Sequence, residues 1–482
     1  MKQQQGREYQ LDLFDTTIQD SLRLSPSRET VSGADERKEF QVTGAGEQER
    51  ALAGNLMQMV LSPENLKRAH KQVKKNKGAA GIDQMVVSDF AGWYAEEGNP
   101  LLAELYAETY QPQGVREVEI PKDNGSMRKL GIPTVTDRIL QQAIAQVLSP
   151  IYEQEFSDHS YGFRPKRSAH QALNKASQYV EQGSCIVVDM DLKTFFDVVN
   201  HDRLMYQLSK LIVDKPLLRL IRKYLQSGIM TGGLVSQRTE GTPQGSPLSP
   251  LLSNIVLDEM DKELESRGHK FVRYADDCNI FVQSQAAGER VMQSISNFIE
   301  GKLKLIVNKD KSQVCLVNQT KYLGYTIQNT GSLSIAVKSL DKLKAKVRKI
   351  TKRNRGVKFE QIITELTASL RWLNYFQYAQ CHKLLQTLDS WIRRKLRCYR
   401  MKQCKNTFTL QKFLERNGVK KWHSWILALS GKGHWRKSNC PQACQAMGNL
   451  WFDEMGLYNL TLNYNRLTNL RKPPCARACT VV

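Results

Sequence analysis

Tyr274-Ala275-Asp276-Asp277 lies between the apolar runs FVR and CNIFV, so two adjacent carboxylates sit at a turn joining two strands. Like charges at such a tip are unfavourable unless a cation neutralises them. Upstream, Asp189 and Asp191 stand two apart in the strand-like run CIVVDMDL (185–192) and share one face. A cluster of three carboxylates from neighbouring strands suits two Mg²⁺ ions. Such a pair activates an attacking hydroxyl and stabilises a leaving oxygen during phosphoryl transfer. An isolated Asp-Asp pair reads as an acidic surface turn; apolar strands on both sides, in a basic chain, argue against that.

The elements that must position these acids are legible in outline. Helix-spaced apolar residues begin near Leu52, with Ser62-Pro63-Glu64 as a capped restart. REVEIPKDNGSMRKLGIP alternates around Asn124-Gly125 and predicts a hairpin with a basic edge. TDRILQQAIAQVLSPIYEQEF predicts an amphipathic helix opened by Thr136 or Asp137. KFVRYADDCNIFV (270–282) predicts the acidic hairpin; LKLIVNKDKSQVCLV and YLGYTI are strand-like; from Ser339 onward the pattern is helical and basic.

Of 482 residues, 70 are Lys or Arg and 48 Asp or Glu, a net charge of +22. Residues 1–50 carry 7 basic and 10 acidic residues, whereas Lys338 to Lys437 carry 26 and 5. So concentrated an excess points to a polyanionic partner. No apolar run approaches the roughly 18 residues of a membrane span, and the N-terminus lacks an apolar signal core, so nucleic acid is favoured over a membrane. The spacings Cys440/Cys444 and Cys475/Cys479 lack the favoured zinc pattern and a well-placed histidine, so no zinc is expected.

YADD, together with MDLKTFFDVVNH (190–201) and GTPQGSPLSPLLSNIVLDEMD (241–261), resembles the motif set of reverse transcriptases, in their order. With RKLGIPTVTDRILQQAI (128–144) and SYGFRPKRSAHQAL (160–173), the chain resembles group II intron-encoded reverse transcriptases, or maturases, from about residue 51 to at least 425. The resemblance implies an α/β (α+β) right-hand polymerase: fingers and an antiparallel palm sheet, then a helical thumb or X domain. It implies RNA-directed DNA synthesis with two Mg²⁺ ions held by Asp191, Asp276 and Asp277, with Asp189 as the rival to Asp191. Phe196 would crowd a ribose 2′-OH and select dNTPs. Gln244 and Gly245 would lie beside the incoming nucleotide, and Arg128, with Lys122 and Lys129 as weaker candidates, would contact its triphosphate. Taken singly, Phe196 also reads as a core aromatic, Gln244 as a turn residue and the cations as a solvated hairpin edge.

The expected divisions are a flexible tail (1–50), an N-terminal extension with part of the fingers (51–115), fingers and palm (116–335), a thumb or X (maturase) domain (336–425) and a small C-terminal DNA-binding-like module (426–482). In the thumb, Lys342, Lys346, Lys349, Arg353, Arg393, Arg394, Arg397 and Arg400 are the expected RNA contacts, while Trp372, Tyr375 and Phe376 fall on core spacing. No H-N-H endonuclease motif follows Leu470, which resembles the endonuclease-lacking, group IIC-like bacterial lineage. Expected partners are group II intron RNA, RNA template with DNA or RNA primer, target DNA and dNTPs, in a bacterial cytoplasm.

Gln10-Leu11-Asp12-Leu13-Phe14 resembles the short motif that binds the replicative sliding clamp, with Leu13 and Phe14 as apolar anchors. The same residues could instead begin a helix through Ile18 and Leu22 that packs on the protein itself. Two rival functions share the motifs: a reverse transcriptase domesticated for DNA repair or phage defence, and a non-enzymatic splicing cofactor. A repair polymerase that copies only DNA fits the acids but explains the thumb poorly.

Overall fold

The computed structural model describes residues 55–121, 127–193, 195–231, 234–236, 241 and 245–469. The described residues divide into two compact units, residues 55–172 with 188–314, and residues 173–187 with 315–469.

Among the described residues, the first unit begins with helices α1 (Leu56–Leu61), α2 (Pro63–Lys75) and α3 (Phe90–Tyr106). Ser62 caps α2 through Asn65 N, with Pro63 at the first helical position, where its missing N–H costs nothing. Strands β1 (Val115–Pro121) and β2 (Met127–Ile132) pair antiparallel, Arg116 opposite Ile132 and Pro121 opposite Met127, as the hairpin pattern predicts. Helix α4 (Val135–Glu153) starts earlier than the sequence suggests. Its cap is Thr134, whose hydroxyl accepts from Asp137 N at 3.2 Å and donates to Asp137 Oδ2 at 2.8 Å. Tyr110 donates to the other oxygen of Asp137 at 2.7 Å, so this carboxyl is committed to the cap and buried. Helix α4 is buried on most of its surface, with Val135, Ile144 and Leu148 fully enclosed. Asn65 ties α2 to it by donating to Ala143 O at 3.1 Å.

Farther along come α5 (Ala169–Glu181), β3 (Ile186–Met190), α6 (Phe195–Val198), α7 (His201–Ser209) and α8 (Lys215–Gln226). Short strands β4 (Ile229–Thr231) and β5 (Leu234–Ser236) pair antiparallel, and β4 runs parallel to β1, making a sheet of order β2-β1-β4-β5. Helix α9 (Ser249–Ser266) leads into β6 (Lys270–Tyr274) and β7 (Asp277–Val282), which pair antiparallel. After α10 (Gln285–Phe298) comes β8 (Gln313–Leu316), and the second sheet has the order β6-β7-β3-β8. Phe271, Val272 and Arg273 are all buried, as expected of a strand covered on both faces. The strand-like run at 303–307 contributes one bridge, Leu192 with Val307, because a π-turn over Ile299–Leu303 ends α10 just before it.

The second unit contains a two-stranded antiparallel sheet, β9 (Tyr325–Ile327) with β10 (Leu333–Ile335). Among the described residues ten helices follow: α11 (Val337–Ile350), α12 (Phe359–Leu370), α13 (Leu373–Phe376), α14 (His382–Gln403), α15 (Thr407–Arg416), α16 (Lys421–Leu429), α17 (His434–Lys437), α18 (Pro441–Ala446), α19 (Asn449–Glu454) and α20 (Leu460–Asn469). Its core gathers on Tyr325, with Phe376 at 5.0 Å and Tyr375 at 5.7 Å between ring centroids; Trp372 lies tilted against Phe376 at 4.3 Å. These three aromatics are packing residues, as their helical spacing indicates. Among the described residues, no helix is long and apolar enough to cross a membrane.

Candidate active site

Tyr274 pairs with Asp277, so Ala275 and Asp276 are the two residues of a tight turn, and Ala275 takes φ 59°. Tight hairpins between right-twisted strands demand this left-handed value, and an alanine adopts it only when its surroundings insist. Beneath the turn lies Arg273, fully buried, its guanidinium donating to Ala275 O at 2.9 Å and Asn254 Oδ1 at 3.0 Å. The same group pairs with the equally buried Asp261 of α9, Nε to Oδ1 at 2.7 Å and Nη2 to Oδ2 at 2.5 Å. Burial works against the Arg273 charge, and the Asp261 carboxylate more than offsets it. Gly162 closes the other side: Asn254 Nδ2 donates to its carbonyl at 2.8 Å, and a Cβ there would lie 2.3 Å from Ala275 N. Only glycine permits that approach.

Asp189 lies in β3 and Asp191 one residue past its end. The backbone of Asp191 is fixed from both sides, its N–H donating to Ser312 Oγ at 3.1 Å and its carbonyl accepting from Asn308 N at 2.9 Å. Its carboxylate accepts from Asn308 Nδ2 at 2.8 Å and Lys311 Nζ at 3.0 Å. Asn279 of β7, with its amide nitrogen turned toward β3, donates to Asp189 Oδ1 at 2.9 Å. The acids meet electrostatically at Asp277. Burial of its carboxyl, then the charges of Asp276, Asp189 and Asp191, push it up to about 6, with Lys311 opposing. The residue as a whole remains exposed, so solvent screens part of this effect.

Among the described residues, no three acids, histidines or cysteines are close enough to hold one metal ion as they stand. The donor set nevertheless suits hard divalent cations. It consists of carboxylate oxygens, their mutual repulsion is what a cation relieves, and an ammonium already lies against Asp191.

Phe196 is half-buried against Phe195, edge to face at 5.2 Å. Behind its turn sits Gly241, φ 87°, where a Cβ would lie 2.7 Å from Phe196 O. Gly241 N donates to Val199 O at 2.8 Å and His201 Nε2 lies 2.6 Å from Gly241 O, so the two motifs are joined through their backbones. Gly245, φ 107°, leaves room for a Cβ only 3.2 Å from Gly131 O of β2. Gln244 and Lys122 lie outside the described residues; Arg128 is placed by its backbone alone, in β2 opposite Ile120. Lys129 points its ammonium at Glu117, 2.9 Å away.

In the second unit, Lys342, Lys346, Lys349 and Arg353 are exposed on or just after α11. On α14, Arg393 is half-buried, Arg394 stacks on Trp435 with its guanidinium 4.0 Å from the ring centre, and Arg400 lies 4.8 Å from that of Phe413. Arg397 departs from expectation. It is buried, donating to Met447 O at 3.1 Å, Ser438 O at 3.2 Å and Cys444 Sγ at 3.3 Å, which makes it a tie between α14 and the segment after it rather than an RNA contact. Cys440 and Cys444 are free thiols. Gln10, Leu11, Asp12, Leu13 and Phe14 lie outside the described residues.

Sequence reasoning missed Arg273, Asp261, Asn308, Lys311 and Gly162. The available signals were a lone arginine inside an apolar strand, a polar NKDKS run following LKLIV, and a glycine between aromatics.

Comparison with known proteins follows the same layout. A profile described as "Reverse transcriptase (RNA-dependent DNA polymerase)" matches residues 120–327, and one described as "Group II intron, maturase-specific domain" matches residues 340–418. Protein YkfC of Escherichia coli is 34% identical over 303 residues, covering 55% of this chain and 80% of YkfC. Group II intron-encoded protein LtrA of Lactococcus lactis is 35% identical over 268 residues, covering 55% of this chain and 43% of LtrA. The "Putative COX1/OXI3 intron 2 protein" of Saccharomyces cerevisiae is 27% identical over 323 residues, covering 54% and 37%. The matched stretch thus spans most of YkfC but less than half of the other two.

Proposed function

The chain belongs to the group II intron-encoded proteins, with a reverse transcriptase domain followed by a maturase-specific domain, and on that premise we propose that it is an RNA-directed DNA polymerase that copies its parent intron during retrotransposition and binds that intron's RNA to promote splicing. The observation that carries the polymerase reading is the convergence of Asp189, Asp191 and Asp276 on Asp277, whose carboxyl is pushed up to about 6 first by burial and then by those three charges. Four acids kept within mutual repulsion are hard to explain as packing and are what a site for cations requires.

Reverse transcriptases work with divalent metal ions; here Asp191, Asp276 and Asp277 would hold two Mg²⁺. Bound there, the ions supply Lewis-acid stabilisation of the attacking and leaving oxygens. The protein's own contribution is placement. Asn308 and Lys311 orient the Asp191 carboxylate, while Arg273 and Gly162 hold the hairpin tip that presents Asp276 and Asp277. Phe196, backed by the Gly241 turn, is the candidate barrier to a ribose 2′-OH. Gln244 and Gly245 would flank the base, and Arg128 and Lys122 the triphosphate. Lys342, Lys346, Lys349, Arg353, Arg393, Arg394 and Arg400 would contact RNA phosphates, with template, primer and target DNA as further partners. A bacterial cytoplasmic location accompanies this reading.

Primer extension on an RNA template with Mg²⁺ and dNTPs, comparing wild type with Asp276→Ala, tests it. Extension that disappears in the variant is expected. A folded wild type that binds intron RNA tightly without extending a primer would instead establish the splicing cofactor. The clamp motif is a separate proposal carried by its sequence: a peptide spanning Gln10–Phe14 should bind the clamp, and Leu13→Ala with Phe14→Ala should abolish that. No detectable binding at high micromolar peptide would sink it.

A further inference from the structure

Phe163 presents its ring to solvent, 58% exposed, from a backbone held at φ 58°. A bulky residue avoids that region unless the surrounding structure forces it there, and such forced residues cluster at functional sites. Here the forcing groups are identifiable on both sides. Before it, Tyr161 N donates to Arg273 O at 2.9 Å, and Gly162 is wedged against Ala275. After it, the buried Arg164 pairs with Glu153 at 2.8 and 3.0 Å and donates to Ser160 O at 2.9 Å, with its guanidinium 5.3 Å from the centre of the Phe156 ring. The neighbours are anchored inward while Phe163 is turned out, and no ring or cation contact to Phe163 occurs among the described residues.

Position gives this exposure a meaning. Gly162 touches the tip of the hairpin that carries Asp276 and Asp277, so Phe163 stands one residue from that contact. Lys166, also exposed and at φ 60°, follows within three residues, while Arg167 next to it is paired with Asp158 at 2.5 Å. An aromatic face with cations beside it is the chemistry that receives a base or sugar while neutralising the adjoining phosphate.

We propose that Phe163 is a nucleic-acid contact, packing against the primer–template duplex where it reaches the catalytic carboxylates, with Lys166 meeting its backbone. This rests on the polymerase reading and adds to it a residue that grips the duplex rather than performing the chemistry.

The test measures binding of a fluorescent RNA-template/DNA-primer duplex to the full-length protein without dNTPs, and then extension kinetics. Phe163→Ala should weaken binding about tenfold or more. It should raise the KM for duplex by a similar factor while leaving kcat at saturating duplex within about twofold. Phe163→Trp should bind as wild type does. Phe163→Gly separates contact from folding: glycine relieves the left-handed strain, so Tm should hold or rise while duplex binding falls as it does for alanine. Wild-type binding in both the alanine and glycine variants would overturn the proposal, as would lowered Tm and kcat with unchanged binding. A wild type that binds duplex but never extends it would fail the polymerase reading, while the binding arm would still decide the role of Phe163.

Discussion

At the scale of single residues, Asp277 links the geometry of the site to pH. Its carboxyl stays protonated up to about 6 in the folded protein, against an ordinary value of 3.8. Between those values the folded state holds a proton that the unfolded chain has released, so this group favours folding fully below 3.8 and loses that contribution as pH rises through about 6. Metal-free protein should therefore show a component of Tm that declines across that interval. Asp277→Asn should flatten it, and an unchanged pH profile in the variant would show that folding does not raise the Asp277 carboxyl. A divalent cation must displace the same proton, so Mn²⁺ affinity followed by paramagnetic resonance should weaken as pH falls below about 6. These acids were legible in the sequence because a turn between two apolar strands is an improbable place for two charges. Asp189 and Asp191 were harder to rank: spacing puts both on one face, and only the structure shows Asn308 and Lys311 gripping Asp191 while Asn279 takes Asp189.

At the scale of elements, β6, β7 and α9 hold the hairpin tip through one buried ion pair. Arg273→Met leaves Asp261 charged and unpaired in the core, which should destabilise the protein by about 3–5 kcal/mol in urea unfolding. Adding Asp261→Leu should recover much of that stability, because a buried pair replaced by apolar groups is often neutral. Extension should stay impaired in the double variant, since Ala275 O still lacks its donor. Full activity in the double variant would reduce Arg273 to packing. Gly162→Ala is the companion test: a Cβ 2.3 Å from Ala275 N must displace the tip, so extension should drop more than tenfold with duplex binding retained. The β1–β2 hairpin, the Ser62 cap and the acidic hairpin could be read from the chain because each is a local signal completed within a few residues. The Arg273–Asp261 pair was invisible for the opposite reason. Its partners lie on different elements, and an arginine in a strand carries no mark of whether its guanidinium faces water or a carboxylate.

At the scale of the whole molecule, the net charge of +22 acts through which cations reach solvent. Charge density along the sequence does not distinguish Arg397 from its neighbours on α14, because burial there depends on Ser438, Cys444 and Met447, some forty to fifty residues later. The two kinds of cation should separate experimentally. Each exposed residue among Lys342, Lys346, Lys349 and Arg353 that meets a phosphate releases counterions on binding. Its replacement by Gln should then make the dependence of log K on log salt shallower by about 0.7–0.9, with Tm unchanged. Arg397→Ala should do the reverse, removing buried hydrogen bonds at a cost of about 2 kcal/mol or more while leaving the salt slope of the residual folded protein intact. Binding of intron RNA titrated from low to high salt, alongside thermal melts of the same variants, reads both quantities. A quadruple Gln variant with wild-type slope would move the RNA surface away from α11, leaving Arg393, Arg394 and Arg400 on α14 as the place to look next.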